Sequence, residues 1–130
     1  PPVRASFPVG VTAPPGWPRD LPPPQAGEFS ERVTGWLLDR APGSWRTQPV
    51  LRRHPRALAL LVSDGLESEL EGLRRSYASA RRRLTDVVTP ADLAAILTAI
   101  EALATEVTES RRRVEQVAEA LAGVRWRPRL

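Results

Sequence analysis

The chain has 130 residues, a formal charge of +4 and no Cys, which allows one domain with one modest core and excludes a disulfide frame or a thiolate metal site. No apolar run approaches the roughly 20 residues of a membrane span, and no charged-then-apolar leader is visible, so a soluble, cytoplasmic protein without membrane contact is expected. All 19 basic residues are Arg, while Asn and Lys are absent. Such usage follows from a GC-rich genome, and it weakens the inference from a high isoelectric point to nucleic-acid binding.

Residues 1–28 hold nine of the 14 prolines, among them Pro14-Pro15 and Pro22-Pro23-Pro24. Pro fixes φ and lacks an N–H, so an extended arm is expected here. Phe7, Val9, Val11, Trp17 and Leu21 punctuate it, which favours an arm lying on a surface, its own or a partner's, over a free linker. Residues 29–54 should contain a short amphipathic helix from Ser30 to Arg40, with Ser30 as N-cap and Ala41-Pro42-Gly43 as its stop. An irregular connector anchored by Trp45, Val50 and Leu51 follows.

His54-Pro55 marks the start of a long helix expected to reach about Val88, because Pro is well placed at a first helical position. Thr89-Pro90-Ala91-Asp92 supplies a cap, a first-turn Pro and an acid at the positive helix end, so a second long helix should run from Pro90 to about Ala122. Leu66, Leu70, Leu73, Tyr77, Ala80, Leu84 and Val87 form one heptad stripe. Leu93, Ile96, Ile100, Leu103, Val107, Ser110, Val114, Val117 and Leu121 form another. Two narrow stripes joined by a tight break describe an antiparallel hairpin over residues 55–123, turning at 88–90, in which facing residue numbers sum to about 180. In that register Leu73 and Leu103 are seam positions, and Arg111 and Arg113 fall near Glu69 and Glu67. The arginine triplet 111–113 then reads as intramolecular pairing rather than a nucleic-acid patch.

The expected class is therefore all-α: a long coiled-coil-like antiparallel hairpin with one short N-terminal helix and a Pro-rich arm. Residues 57–62 are apolar all round the helix, and Leu97, Ala99 and Ala104 add apolar surface beyond the second stripe. A two-helix coil needs only the stripe, so self-association into a homodimeric helical bundle is expected. Gly65, Ser68, Gly72, Ser76 and Ser79 form a small-residue stripe suited to close approach by another backbone. Gly65, Gly72, Ser76, Ser79, Leu97 and Ala104 are the candidate self-association residues.

Catalytic chemistry has no foothold in the pattern. There is one His, no Glu-x-x-His repeat and no Gly-rich phosphate loop, so neither an enzyme nor a cofactor or metal is expected. Charge by segment says more: residues 29–54 carry +3, residues 89–124 carry −3, and residues 125–130 carry +3. A hairpin brings Trp45, Arg46, Arg52, Arg53 and Arg56 to the same pole as Arg125, Trp126, Arg127 and Arg129 in the basic tail, 124–130. The leading expectation is a non-enzymatic interaction or scaffold protein whose arm and pole contact partner proteins. Nucleic-acid binding through the Arg and Trp pole is the alternative.

Overall fold

The computed structural model describes residues 13–124, and within them every regular element is helical. The elements are α1 (Glu28–Leu38), a 3₁₀ helix (Gly43–Thr47), α2 (Pro49–Arg53), α3 (Pro55–Leu84) and α4 (Pro90–Leu121). The two long helices pack against each other. The chain divides into two compact units, residues 1–62 with 113–130, and residues 63–112. No described helix is long and apolar enough to cross a membrane.

The unit of residues 63–112 is the turn-bearing end of the helix pair. α3 buries Leu66, Leu70 and Ala80 and half-buries Leu73, Tyr77 and Leu84, the expected stripe. The helix stops at Leu84, not Val88. Thr85 Oγ1 turns back to the Arg81 carbonyl, and the N–H groups of Val87 and Val88 both donate to the Leu84 carbonyl. β-branched Thr85, Val87, Val88 and Thr89 resist continuation, and Val87 is left 69% exposed. The restart follows its caps: Thr89 Oγ1 accepts the Asp92 N–H at 3.1 Å, and Pro90 occupies the first helical position.

The α4 seam departs from the expected stripe. Leu97 is 7% exposed, whereas Leu103 is 48% exposed. At 100° per residue, Leu93, Leu97, Ile100, Ala104 and Val107 lie within roughly 80° of arc, and Leu103 falls about 40° outside it. A strict seven-residue repeat drifts by about 20° per heptad on an α-helix, so a stripe extrapolated along 29 residues slides off the seam in one part of the helix. Leu97 and Ala104 are therefore seam residues in place of Leu103. Leu97 does not belong to a free self-association surface.

Two side-chain pairs give the register. The Tyr77 hydroxyl donates to Glu101 Oε1 at 2.8 Å, and Arg111 Nη2 donates to Glu67 Oε2 at 3.2 Å. Both pairs, 77 with 101 and 67 with 111, sum to 178. Arg111 thus meets Glu67 rather than Glu69, a shift that one long flexible side chain absorbs. The hydrogen bond to Glu101, reinforced by its negative charge, raises the Tyr77 phenol above its ordinary value. Tyr77 is the chain's one tyrosine, so a near-ultraviolet absorbance titration reads it directly. Its midpoint is expected above that of free tyrosine and should fall back in Glu101→Gln. A raised folded-state value favours the folded state below the unfolded tyrosine value, and that contribution is lost as pH rises through the folded one.

The unit of residues 1–62 with 113–130 contains the aromatic core. Trp17, Leu21, Phe29, Val33, Trp36, Leu37, Leu38, Leu58, Ala59, Val62, Val114 and Val117 are buried in it. α1 begins earlier than its sequence suggests, with Gly27 rather than Ser30 at the N-cap and no side-chain cap bond. Linked turns feed it, the Ala26 N–H donating to the Pro23 carbonyl and the Phe29 N–H to the Ala26 carbonyl. Ser30 is thereby left as an exposed residue of the first helical turn.

Residues 13–27 fold onto α1 as a chain of tight turns. The Trp17 indole N–H donates to the carbonyls of Leu21 and Pro22 at 3.0 and 3.2 Å, and its ring meets Phe29 with centroids 5.8 Å apart. Asp20 ties the segment to α1 by accepting from Trp36 Nε1 at 2.9 Å and pairing with Arg40 at 3.6 Å. Arg40 also lies over the Trp36 ring at 3.7 Å. Burial pulls the Arg40 guanidinium below its ordinary value, opposed by Asp20 and Asp39. The anchors Trp17 and Leu21 are consumed by the chain's own core, while Phe7, Val9 and Val11 lie outside the described residues.

Candidate partner-binding surface

The connector after α1 is ordered by its prolines. Pro42 precedes the 3₁₀ helix and Pro49 opens α2. Neither short helix buries a side chain. Trp45 is half-buried and Val50 is 49% exposed, so this segment is not anchored in the core as its apolar residues suggested. His54 alone separates α2 from α3, with the Leu58 N–H donating to its carbonyl.

Of the expected pole, the described members are sorted by their bonds. Arg46 pairs with Asp39, and Arg52 Nε donates to the Arg46 carbonyl at 3.3 Å. Arg53 and Arg56 are exposed and form no ion pair within the described residues. Arg125, Trp126, Arg127 and Arg129 lie outside the described residues. Between Asp39 and Asp64 the sequence contains Arg40, Arg46, Arg52, Arg53 and Arg56 and no acid. The first turns of α2 and α3 both lack an acid, so the positive ends of these helices add to the arginine charge instead of being neutralised.

The same stretch exposes aliphatic surface. Leu58, Ala59 and Val62 turn into the core, leaving Ala57, Leu60 and Leu61 on the other face of α3, with Leu60 at 53% and Leu61 at 44% exposure. An all-round apolar helix start was the sequence signal for this surface, and half of it is covered by the unit's own core. The surface can offer guanidinium donors beside apolar contact, the recognition chemistry of an acidic partner with apolar side chains.

The other candidate residues separate into two groups. Leu97 and Ala104 are in the seam, as described above. Gly72, Ser76 and Ser79 line a cleft in the unit of residues 63–112, together with Arg75, Arg82 and Arg83. A Cβ at Gly65 would meet nothing within 4 Å, and one at Gly72 only the Arg75 guanidinium at 3.9 Å. Among the described residues no group of three or more His, Asp or Glu side chains is placed to hold a metal ion. Comparison with protein-family models, with curated proteins and with solved structures finds no match.

Proposed function

We propose that the protein is a non-enzymatic interaction module that engages an acidic protein partner through residues 50–61. The observation that carries this reading is the coincidence of exposed Val50, Leu60 and Leu61 with Arg53 and Arg56, which form no ion pair within the described residues, in an acid-free stretch. Exposed aliphatics at interface centres contribute apolar burial, while arginines supply orientation and partner choice. Affinity purification of the full chain followed by mass spectrometry tests it. Leu60→Ser with Leu61→Ser, and separately Arg53→Ala with Arg56→Ala, should each reduce the same recovered protein at least tenfold. Unchanged recovery in both variants rejects the surface.

The exposed Arg53 and Arg56 also favour a second reading, nucleic-acid binding. That reading predicts salt-sensitive binding lost in the arginine variant and retained in the leucine variant. Self-association is proposed through the open small-residue face of α3, with Gly72, Ser76 and Ser79 admitting a second copy closely. A light-scattering mass of one chain at high micromolar concentration would remove the dimer.

A further inference from the structure

Opposite charges divide α3 within the unit of residues 63–112. From 63 to 72 it carries Asp64, Glu67, Glu69 and Glu71 and no base, and from 73 to 84 it carries Arg74, Arg75, Arg81, Arg82 and Arg83 and no acid. At 100° per residue, Gly65, Ser68, Gly72, Ser76, Ser79 and Arg83 fall within roughly 80° of arc, centred about 120° from the buried stripe. Glu67 and Tyr77, which bond to α4, lie about 140° from the centre of that strip, so the helix pair leaves it uncovered. All six of its residues are exposed or half-buried. The Ser79 hydroxyl donates to the Arg75 carbonyl at 3.0 Å, which satisfies it within its own helix. Asp64, Glu71, Arg75 and Arg82 run along one edge of the strip within roughly 40° of one another. All four are exposed and form no ion pair among the described residues.

That edge reads acid, acid, base, base at spacings of seven, four and seven, a pattern that maps onto itself with the charges inverted when the helix is turned end for end. An isologous interface needs this self-complementarity, because a two-fold axis across two facing antiparallel helices sets each edge against the same edge of the partner. We infer that two copies of the chain pair through α3 in antiparallel register, with facing residue numbers summing to about 147. Asp64 then meets the partner's Arg82 and Glu71 the partner's Arg75, each pair summing to 146. Along the strip 65 meets 83, 68 meets 79 and 72 meets 76, summing to 147 or 148. One register thus satisfies the charges and the small residues together, whereas a parallel pair sets acidic half against acidic half. The cleft that Arg75, Arg82 and Arg83 line beside Gly72, Ser76 and Ser79 is filled by the partner's acidic half. Exposed ion pairs are individually weak, so they select the register, while close packing along the small-residue strip supplies the burial. The inference rests on the self-association proposed above and gives it a geometry.

The test uses the full chain, its mass followed by light scattering across the micromolar range. Arg82→Asp places like charges together at two symmetry-related sites and is expected to weaken the dimer at least tenfold with unchanged helicity. Adding Asp64→Arg to the same chain should restore the affinity to within about threefold of the wild type. The chain has no Cys, so cysteines placed at 68 and 79 read the register independently. Mild oxidation should give a covalent dimer from Ser68→Cys combined with Ser79→Cys and from neither single variant. A wild-type mass of one chain throughout overturns the inference together with self-association. A dimer that Arg82→Asp leaves intact, that the double charge swap does not restore, or that a single cysteine variant cross-links overturns the register alone and leaves self-association standing.

Discussion

Replacing Leu97 by Asp is expected to destabilise the unit of residues 63–112 by about 3–5 kcal/mol, while Leu103→Asp should cost less than about 1 kcal/mol. Leu97 is 7% exposed and Leu103 is 48% exposed. At 97 the substitution removes a packed side chain and leaves a carboxylate among Leu93, Ile100 and Ala104, with no basic residue between Leu93 and Glu109 on its own helix. At 103 the new carboxylate remains in water, and the loss is confined to partial burial and a small helix-propensity penalty. Chemical denaturation followed by far-ultraviolet circular dichroism separates the two variants. The opposite ranking would restore the strict heptad seam, and equal costs would mean that neither position is the hinge of the packing.

Trp17→Ala carries the second large effect, about 3–5 kcal/mol lost from the aromatic core. The indole contributes ring packing against Phe29 and an N–H shared by the carbonyls of Leu21 and Pro22. Trp17→Phe keeps most of the ring area but leaves those carbonyls without their donor, and should cost about 1–3 kcal/mol. Denaturant midpoints and limited proteolysis within residues 13–27 should move together, because the same ring holds that segment to α1. A Trp17→Ala variant with wild-type stability and an equally protected segment would show that residues 13–27 are not fastened by this residue.

What could be read in advance divides along physical lines. The break at Thr89-Pro90 was legible because its signals are local: a hydroxyl cap, a first-position proline and an acid at the helix start. The α3 stripe was legible because Leu66, Leu70, Leu73, Tyr77, Ala80 and Leu84 advance by about 3.6 residues per step, the helix's own period, and so stay within roughly 80° of arc. The α4 stripe keeps to about 3.5 residues per step and drifts off that arc at Leu103, where Leu97 takes the seam. Ser30 misled because a helix start is chosen by the chain entering it, and the turns from Pro23 to Phe29 deliver that chain at Gly27. The 3₁₀ helix and α2 were hidden by their length, since five residues carry no periodicity. Among the candidate site residues, the arginine content was plain, but which arginines stay unpaired depends on partners such as Asp39 and Asp20, whose proximity is a tertiary fact. The exposure of Leu60 and Leu61 likewise required knowing which half of an all-apolar turn the core would take.

The distribution of aromatic residues has a practical result. Trp17, Trp36 and Trp45 belong to the unit of residues 1–62 with 113–130, and no tryptophan lies between residues 63 and 112, where the lone Tyr77 resides. Each unit therefore carries its own optical reporter, indole fluorescence for one and, once resolved from the overlapping indole bands in the derivative spectrum, phenol absorbance for the other. Melting the unmodified protein while recording both signals measures how far the two units share a single cooperative transition, with no label and no mutation required.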